Sequence, residues 1–167
     1  MSKKKKAQQL AKTLVEKILD QHKISYRQAE FPTHEAHGVA QMDTSILADQ
    51  AHLVYKTLVC DGNKTGPVVG VVPITAHLSM KKLAKMSDNK KCELLPLKQL
   101  AATTGYVHGA NTPIGIYHSH KLPIYLDSSM ETEPEVAVSS GVVGRSIYLA
   151  PDDLKTICHG KFGDLLE

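Results

Sequence analysis

The chain has 167 residues, 42% hydrophobic and 22% charged, a make-up that fits one globular domain with a real core. Aromatic residues reach only 5% and tryptophan is absent, which argues against stacking platforms for single-stranded nucleic acid. Net charge is +3, yet Lys3 to Lys6 supply four positive charges; without them 16 basic residues face 17 acidic ones, so any basic surface must come from arrangement rather than surplus.

Residues 1–6 are expected to be a disordered, lysine-rich arm ahead of one domain spanning 7–167. Three scattered cysteines, Cys60, Cys92 and Cys158, form no CxxC pair. That argues against a disulfide framework and a structural zinc site, and suits a reducing cytoplasm. No apolar run approaches the roughly 18 residues of a membrane span, and no secretory signal is evident.

In chain order, residues 7–22 carry an amphipathic stripe of Leu10, Leu14 and Ile18 with Ala11, Val15 and Leu19, which predicts a helix. Residues 24–30 predict a short strand, and 33–42 a helical turn or short helix capped by Thr33. Residues 53–60 predict a strand ended by the Asp61-Gly62-Asn63 turn. Alternation puts Lys56 on the same face as Val54, Leu58 and Cys60. An unpaired ammonium there is costly unless the face lines a wet cleft or an anion meets the charge. Lys56 is therefore a candidate floor for an anionic or carbonyl-bearing substrate; the plain alternative is an edge-strand lysine. The valines of 67–73 predict a hairpin partner buried on both faces.

Ser79 predicts a helix cap, 90–94 a weak strand, and Pro96 a helix start with its end near Thr103. Residues 105–115 read as a loop punctuated by Gly105, Gly109 and Gly115, whose N–H groups could polarise a carbonyl. It lacks both the Walker A and the GxGxxG spacing. Strands follow at 122–126, 135–139 and 146–149, then a helix from Pro151. Val138-Ser139-Ser140-Gly141 could be a backbone wall, but without Gly-x-Ser-x-Gly it offers no serine-hydrolase signature. The pairs His34/His37 and His118/His120 complete no ligand set, so no metal or other cofactor is expected. Mixed hairpin and crossover connections favour an α+β domain with a mixed, barrel-like sheet flanked by short helices.

Several segments together resemble the YbaK/EbsC family, free-standing relatives of the editing domain of bacterial prolyl-tRNA synthetase. They include Lys23-Ile24-Ser25-Tyr26, Val54-Tyr55-Lys56-Thr57-Leu58-Val59, Thr104-Gly105-Tyr106, 109–115, Val138-Ser139-Ser140-Gly141 and Pro151-Asp152-Asp153-Leu154. They follow the family's order across residues 10–165. The resemblance, nearest to the YbaK branch, implies a trans-editing deacylase that removes cysteine from tRNA(Pro). It puts the family's lysine at Lys56 and its loop glycine at Gly109, both expected to be catalytic. Phe31, Tyr106, Ser140, Gly141 and Ser146 are the implied substrate-binding positions. Two depart from the family pattern: Phe31 stands in place of a tyrosine and Ser146 in place of an aspartate. Expected partners are aminoacyl-tRNA and prolyl-tRNA synthetase, with no membrane. The alternatives are deacylation of another small amino acid, such as alanine, and a non-catalytic binder of aminoacyl-tRNA or a synthetase.

Overall fold

The computed structural model describes residues 10–31 and 50–167, together with the backbone of 33–36 and 39–42. The lysine arm and the side chains of His34 and His37 lie outside the described residues.

Helix α1 (Leu14–Gln21) begins at a reciprocal cap. The Thr13 hydroxyl accepts from the Glu16 N–H, and the Glu16 carboxylate accepts from the Thr13 N–H, each at 3.1 Å. The helix therefore starts later than the apolar periodicity predicts: residues 10–13 are not helical, and Leu14 is exposed while Val15, Ile18 and Leu19 are buried. Strand β1 (Arg27–Glu30) follows. Over 33–42 the predicted helix is wrong. β2 (Thr33–Ala36) and β3 (Val39–Met42) pair antiparallel instead. A glycine at position 38 disfavours a helix interior.

The long hairpin is as predicted. β4 (Tyr55–Gly62) pairs antiparallel with β5 (Gly66–Pro73), with Lys56 opposite Val72. The valine run of β5 is buried on both faces: Val69 and Val71 enter the main core, Val68 and Val72 a second cluster. β6 (Cys92–Leu94) adds to the far end of β4. β7 (Ile124–Asp127) runs parallel to β5, and β10 (Lys161–Gly163) parallel to β7. The five strands lie in the order β10-β7-β5-β4-β6.

A second, antiparallel sheet has the order β1-β9-β8, from β8 (Val136–Val142) and β9 (Arg145–Leu149). One parallel bridge, Val54 to Ala137, ties it to the start of β4. The sheet is thus mixed and curled but not a closed barrel: among the described residues β1 pairs only with β9, and β10 only with β7. Helices α2 (Met80–Met86), α3 (Leu97–Thr104), α4 (Pro113–His120) and α5 (Pro151–Cys158) flank it. Ser79 caps α2 as predicted. Helix α4 falls partly on the stretch read as loop; Thr112 caps it, with Pro113 in its first turn. The main core, including Leu19, Ile114, Leu126, Ile147 and Leu149, fills the space between sheets and helices. Among the described residues no helix is long and apolar enough to cross a membrane.

Candidate functional site

Strand β4 has a gap along one edge. Its start bridges β8 at Val54, and β6 joins it only from Cys60 onward. Five consecutive residues, Tyr55 to Val59, border a cavity of about 440 Å³ at this gap. The volume suits a small-molecule-sized guest. Backbone bonds show which groups face it. Val54 C=O accepts from Ile74 on the β5 side, and Val59 C=O accepts from Leu95 on the other. Successive peptide groups alternate, so the backbone of Thr57 faces the open edge. Thr57 is among the residues that border the cavity, and its Oγ1 is buried without a hydrogen-bond partner among the described residues. Unpartnered buried hydroxyls are uncommon and cost free energy, so this one calls for an explanation.

Lys56 lines the cavity from the opposite strand face, as its alternation predicts. It falls between two small apolar clusters, one with Val54 and Phe31, the other with Leu58 and Cys60. Among the described residues it has neither hydrogen bond nor ion pair. Burial alone lowers its pKa from the usual lysine value. No aspartate or glutamate lines the cavity among the described residues, while Lys56, His108 and Arg145 do. Arg145 is paired with Glu16, which leaves Lys56 as the lining lysine or arginine without a partner among the described residues.

The facing wall is the glycine loop. The Thr104 hydroxyl donates to Asn111 Oδ1 at 2.8 Å and accepts from the Tyr106 N–H at 3.1 Å; Asn111 Nδ2 donates to Val107 C=O at 3.2 Å. These bonds pin both ends of the loop. Gly109 takes φ +88°, which suits glycine. Among the described residues the N–H groups of His108 and Gly109 make no hydrogen bond. They remain available as donors beside the cavity.

Of the predicted site residues, Lys56, Gly109 and Ser146 line this cavity. Phe31, Tyr106, Ser140 and Gly141 do not. Phe31 packs edge-on to Tyr148 and donates its N–H to Gly144 C=O at 2.8 Å. Tyr106 lies between two glycines: a Cβ at Gly115 would collide with its hydroxyl, and one at Gly141 would sit 3.0 Å from its ring. Ser140 is buried behind, its Oγ without a partner among the described residues. Tyr106 and Gly141 pack together outside the cavity lining, and Phe31 belongs to a separate cluster with Val54, Ala137 and Tyr148. Cys60, on the Lys56 strand, is not an activated thiol: burial pushes its pKa up to about 12. His118 and His120 lie on α4, and no metal-binding group of three side chains occurs among the described residues. Sequence reading missed Asn111 and Arg145. The asparagine inside a glycine loop was a usable signal.

The curled two-sheet fold, with Lys56 at a strand gap and the glycine loop beside it, has relatives among proteins of known class. The chain belongs to the aminoacyl-tRNA editing domain family, whose signature matches residues 35–157. A curated protein of Enterococcus faecalis, named "Putative Cys-tRNA(Pro)/Cys-tRNA(Cys) deacylase EbsC", is 42% identical over 162 residues, covering 97% of this chain and 96% of that one. Among solved structures, one titled "Crystal structure of a putative trans-editing enzyme for prolyl tRNA synthetase" superposes with TM-score 0.73 at 23% identity, covering 92% of this chain and 94% of that one. Another, described as a hypothetical protein, gives TM-score 0.76 at 17% identity, with 92% and 99% covered. The two structures speak for the fold alone.

Proposed function

We propose that the protein is a trans-editing deacylase that strips cysteine from mischarged tRNA(Pro), in the cytoplasm where charged tRNA resides. The observation that carries this reading is Lys56: a partly desolvated ammonium that, among the described residues, has no partner and lines a cavity with no aspartate or glutamate, opposite the amides of the glycine loop. The E. faecalis relative, similar over nearly the whole chain, supports the same substrate. Such an enzyme has a physical reason to exist. Cysteine and proline are close in size, so one synthetic pocket separates them poorly and a second site must remove the error.

The chemistry is substrate-assisted. The three cysteines are buried and none lines the cavity. Ser139 and Ser146 line it, but neither is hydrogen-bonded to a histidine among the described residues. The substrate's own sulfur then attacks its ester carbonyl. A C–S bond forms, the ester C–O bond breaks, and the thiol proton ends on the departing ribose oxygen. The products are a cyclic cysteine thioester and free tRNA. Lys56 holds the carbonyl oxygen or a terminal phosphate, and amides near Gly109 stabilise the developing oxyanion. The near-neutral body gives weak electrostatic purchase on tRNA, which favours delivery by a partner such as prolyl-tRNA synthetase.

A panel of charged tRNAs assayed side by side tests this reading. Multiple turnovers on cysteinyl-tRNA, with seryl-tRNA far slower, is the expected result. Equal rates on both would indicate an attacking water. A preference for alanyl-tRNA would change the amino acid but keep the reaction. No turnover beyond one equivalent would make the protein a binder.

A further inference from the structure

We propose that Arg145 is a second substrate-holding cation of this site, gripping a phosphate at the 3′ end of the RNA, and that Glu16 on α1 positions it. The proposal rests on the deacylase reading for its substrate, but its geometry is separate from that of Lys56.

Arg145 lines the cavity from β9, on the other sheet from Lys56. Its side chain is 13% exposed, and Glu16 is fully buried. Among the described residues one nitrogen of the guanidinium is engaged. Nη2 donates to Glu16 Oε2 at 3.1 Å and Oε1 at 3.3 Å. Nε is buried with no partner, and Nη1 makes no hydrogen bond among the described residues.

The carboxylate, by contrast, is well supplied. Its Oε1 also accepts from the Thr13 N–H at 3.1 Å and from Gln28 Nε2 at 2.9 Å. Glu16 therefore does not need the rest of the guanidinium. A purely structural ion pair would be expected to spend its donors inward. Here the two N–H groups of Nη1 stay unspent, and among the described residues no aspartate or glutamate lines the hollow beside them. That donor set matches phosphate oxygens better than a carbonyl or an amine. The division of labour follows: Arg145 takes the phosphate, which leaves Lys56 for the ester carbonyl.

The test uses the full chain and two probes, adenosine 5′-monophosphate and adenosine, titrated by NMR. Arg145→Gln alone would orphan the buried Glu16, so the main variant is the double Glu16→Gln/Arg145→Gln, which removes both charges. Wild type is expected to bind the nucleotide about tenfold better than the nucleoside, and the double variant to lose that preference. Arg145→Lys keeps the ion pair and is expected to weaken the nucleotide about threefold while leaving adenosine unchanged; it decides the matter if the double variant does not fold.

In deacylation the double variant should raise KM about tenfold with kcat within about twofold, and the slope of log KM against log salt should fall by about 0.7, one phosphate's worth on a single strand. Several results would overturn the proposal. One is a wild type that does not distinguish the two probes. Another is a folded variant that keeps the full preference and the salt slope. A third is a loss of kcat with KM and slope unchanged. If wild type deacylates nothing, the deacylase reading falls, and the nucleotide titration still decides Arg145.

Discussion

The two ends of the β4–β5 hairpin handle polar groups in opposite ways. At the turn end, Asn89 is buried yet fully employed. Its Oδ1 accepts from the N–H groups of Lys64 and Thr65 at 2.8 and 3.0 Å, and its Nδ2 donates to the hydroxyls of Ser87 and Thr65 at 2.8 and 3.0 Å. Asn63 does the same for the N–H groups of Lys90 and Lys91. At the cavity end, Lys56 and the Thr57 hydroxyl have no protein partner among the described residues. Satisfied buried polar groups hold a fold together, whereas unsatisfied ones cost free energy until something else meets them. The turn end is built for stability and the cavity end for a guest.

That contrast can be broken by mutation. The largest expected effect is at Lys56. Lys56→Ala should lower cysteinyl-tRNA deacylation at least about tenfold with the fold intact by circular dichroism, since an electrostatic contact to the reacting ester is lost. Wild-type rates in a folded Lys56→Ala protein would remove Lys56 from the mechanism. Asn89→Ala should show the reverse pattern. Orphaned turn amides should cost about 2 kcal/mol in urea unfolding, with the rate per folded molecule unchanged. Thr57→Val separates the regions more finely. It should leave stability equal or raise it by about 1 kcal/mol, because a buried, unpaired hydroxyl is removed, while KM rises about fivefold if that hydroxyl meets substrate.

A pH series sharpens the comparison further. The folded pKa of Lys56 lies below its unfolded value, so the unfolded chain binds more protons between the two. Stability therefore rises with pH through that window and gains nothing above the ordinary lysine value of 10.5. Lys56→Met should be more stable than wild type at neutral pH, and the advantage should vanish as pH passes the unfolded value; a gap independent of pH would mean the ammonium is not desolvated. The smallest effect concerns the thiols. Cys60 and Cys158, both pushed up to about 12 by burial, should resist a thiol reagent at pH 8 in the native state and react only after unfolding.

The sequence made some of this plain because the signals were local. A lysine among apolar strand residues, a valine run, and a proline or serine at a helix start each carry their meaning within a few positions. Lys56, β5, the cap of α2 and the proline start of α5 were legible for that reason. Helix α4 was hidden because Gly115 looks like a loop residue. It is there because Tyr106 leaves no room for a Cβ, which is a tertiary fact. The start of α1 was written in the Thr13-x-x-Glu16 box, but the apolar periodicity upstream masked it. Nothing local could reveal the Arg145–Glu16 pair, whose members are 129 residues apart. The gap in the edge of β4 was equally unreadable, because it depends on where β6 and β8 stop.

Tyr106 gives the wall one further property. Its ring fills the space that side chains at 115 and 141 would otherwise claim, yet it does not line the cavity. It works as a shim one phenol thick, set between Gly115 at the start of α4 and Gly141 of β8. Shaving that shim to leucine would loosen the seat of α4 on β8 without altering any residue that borders the cavity.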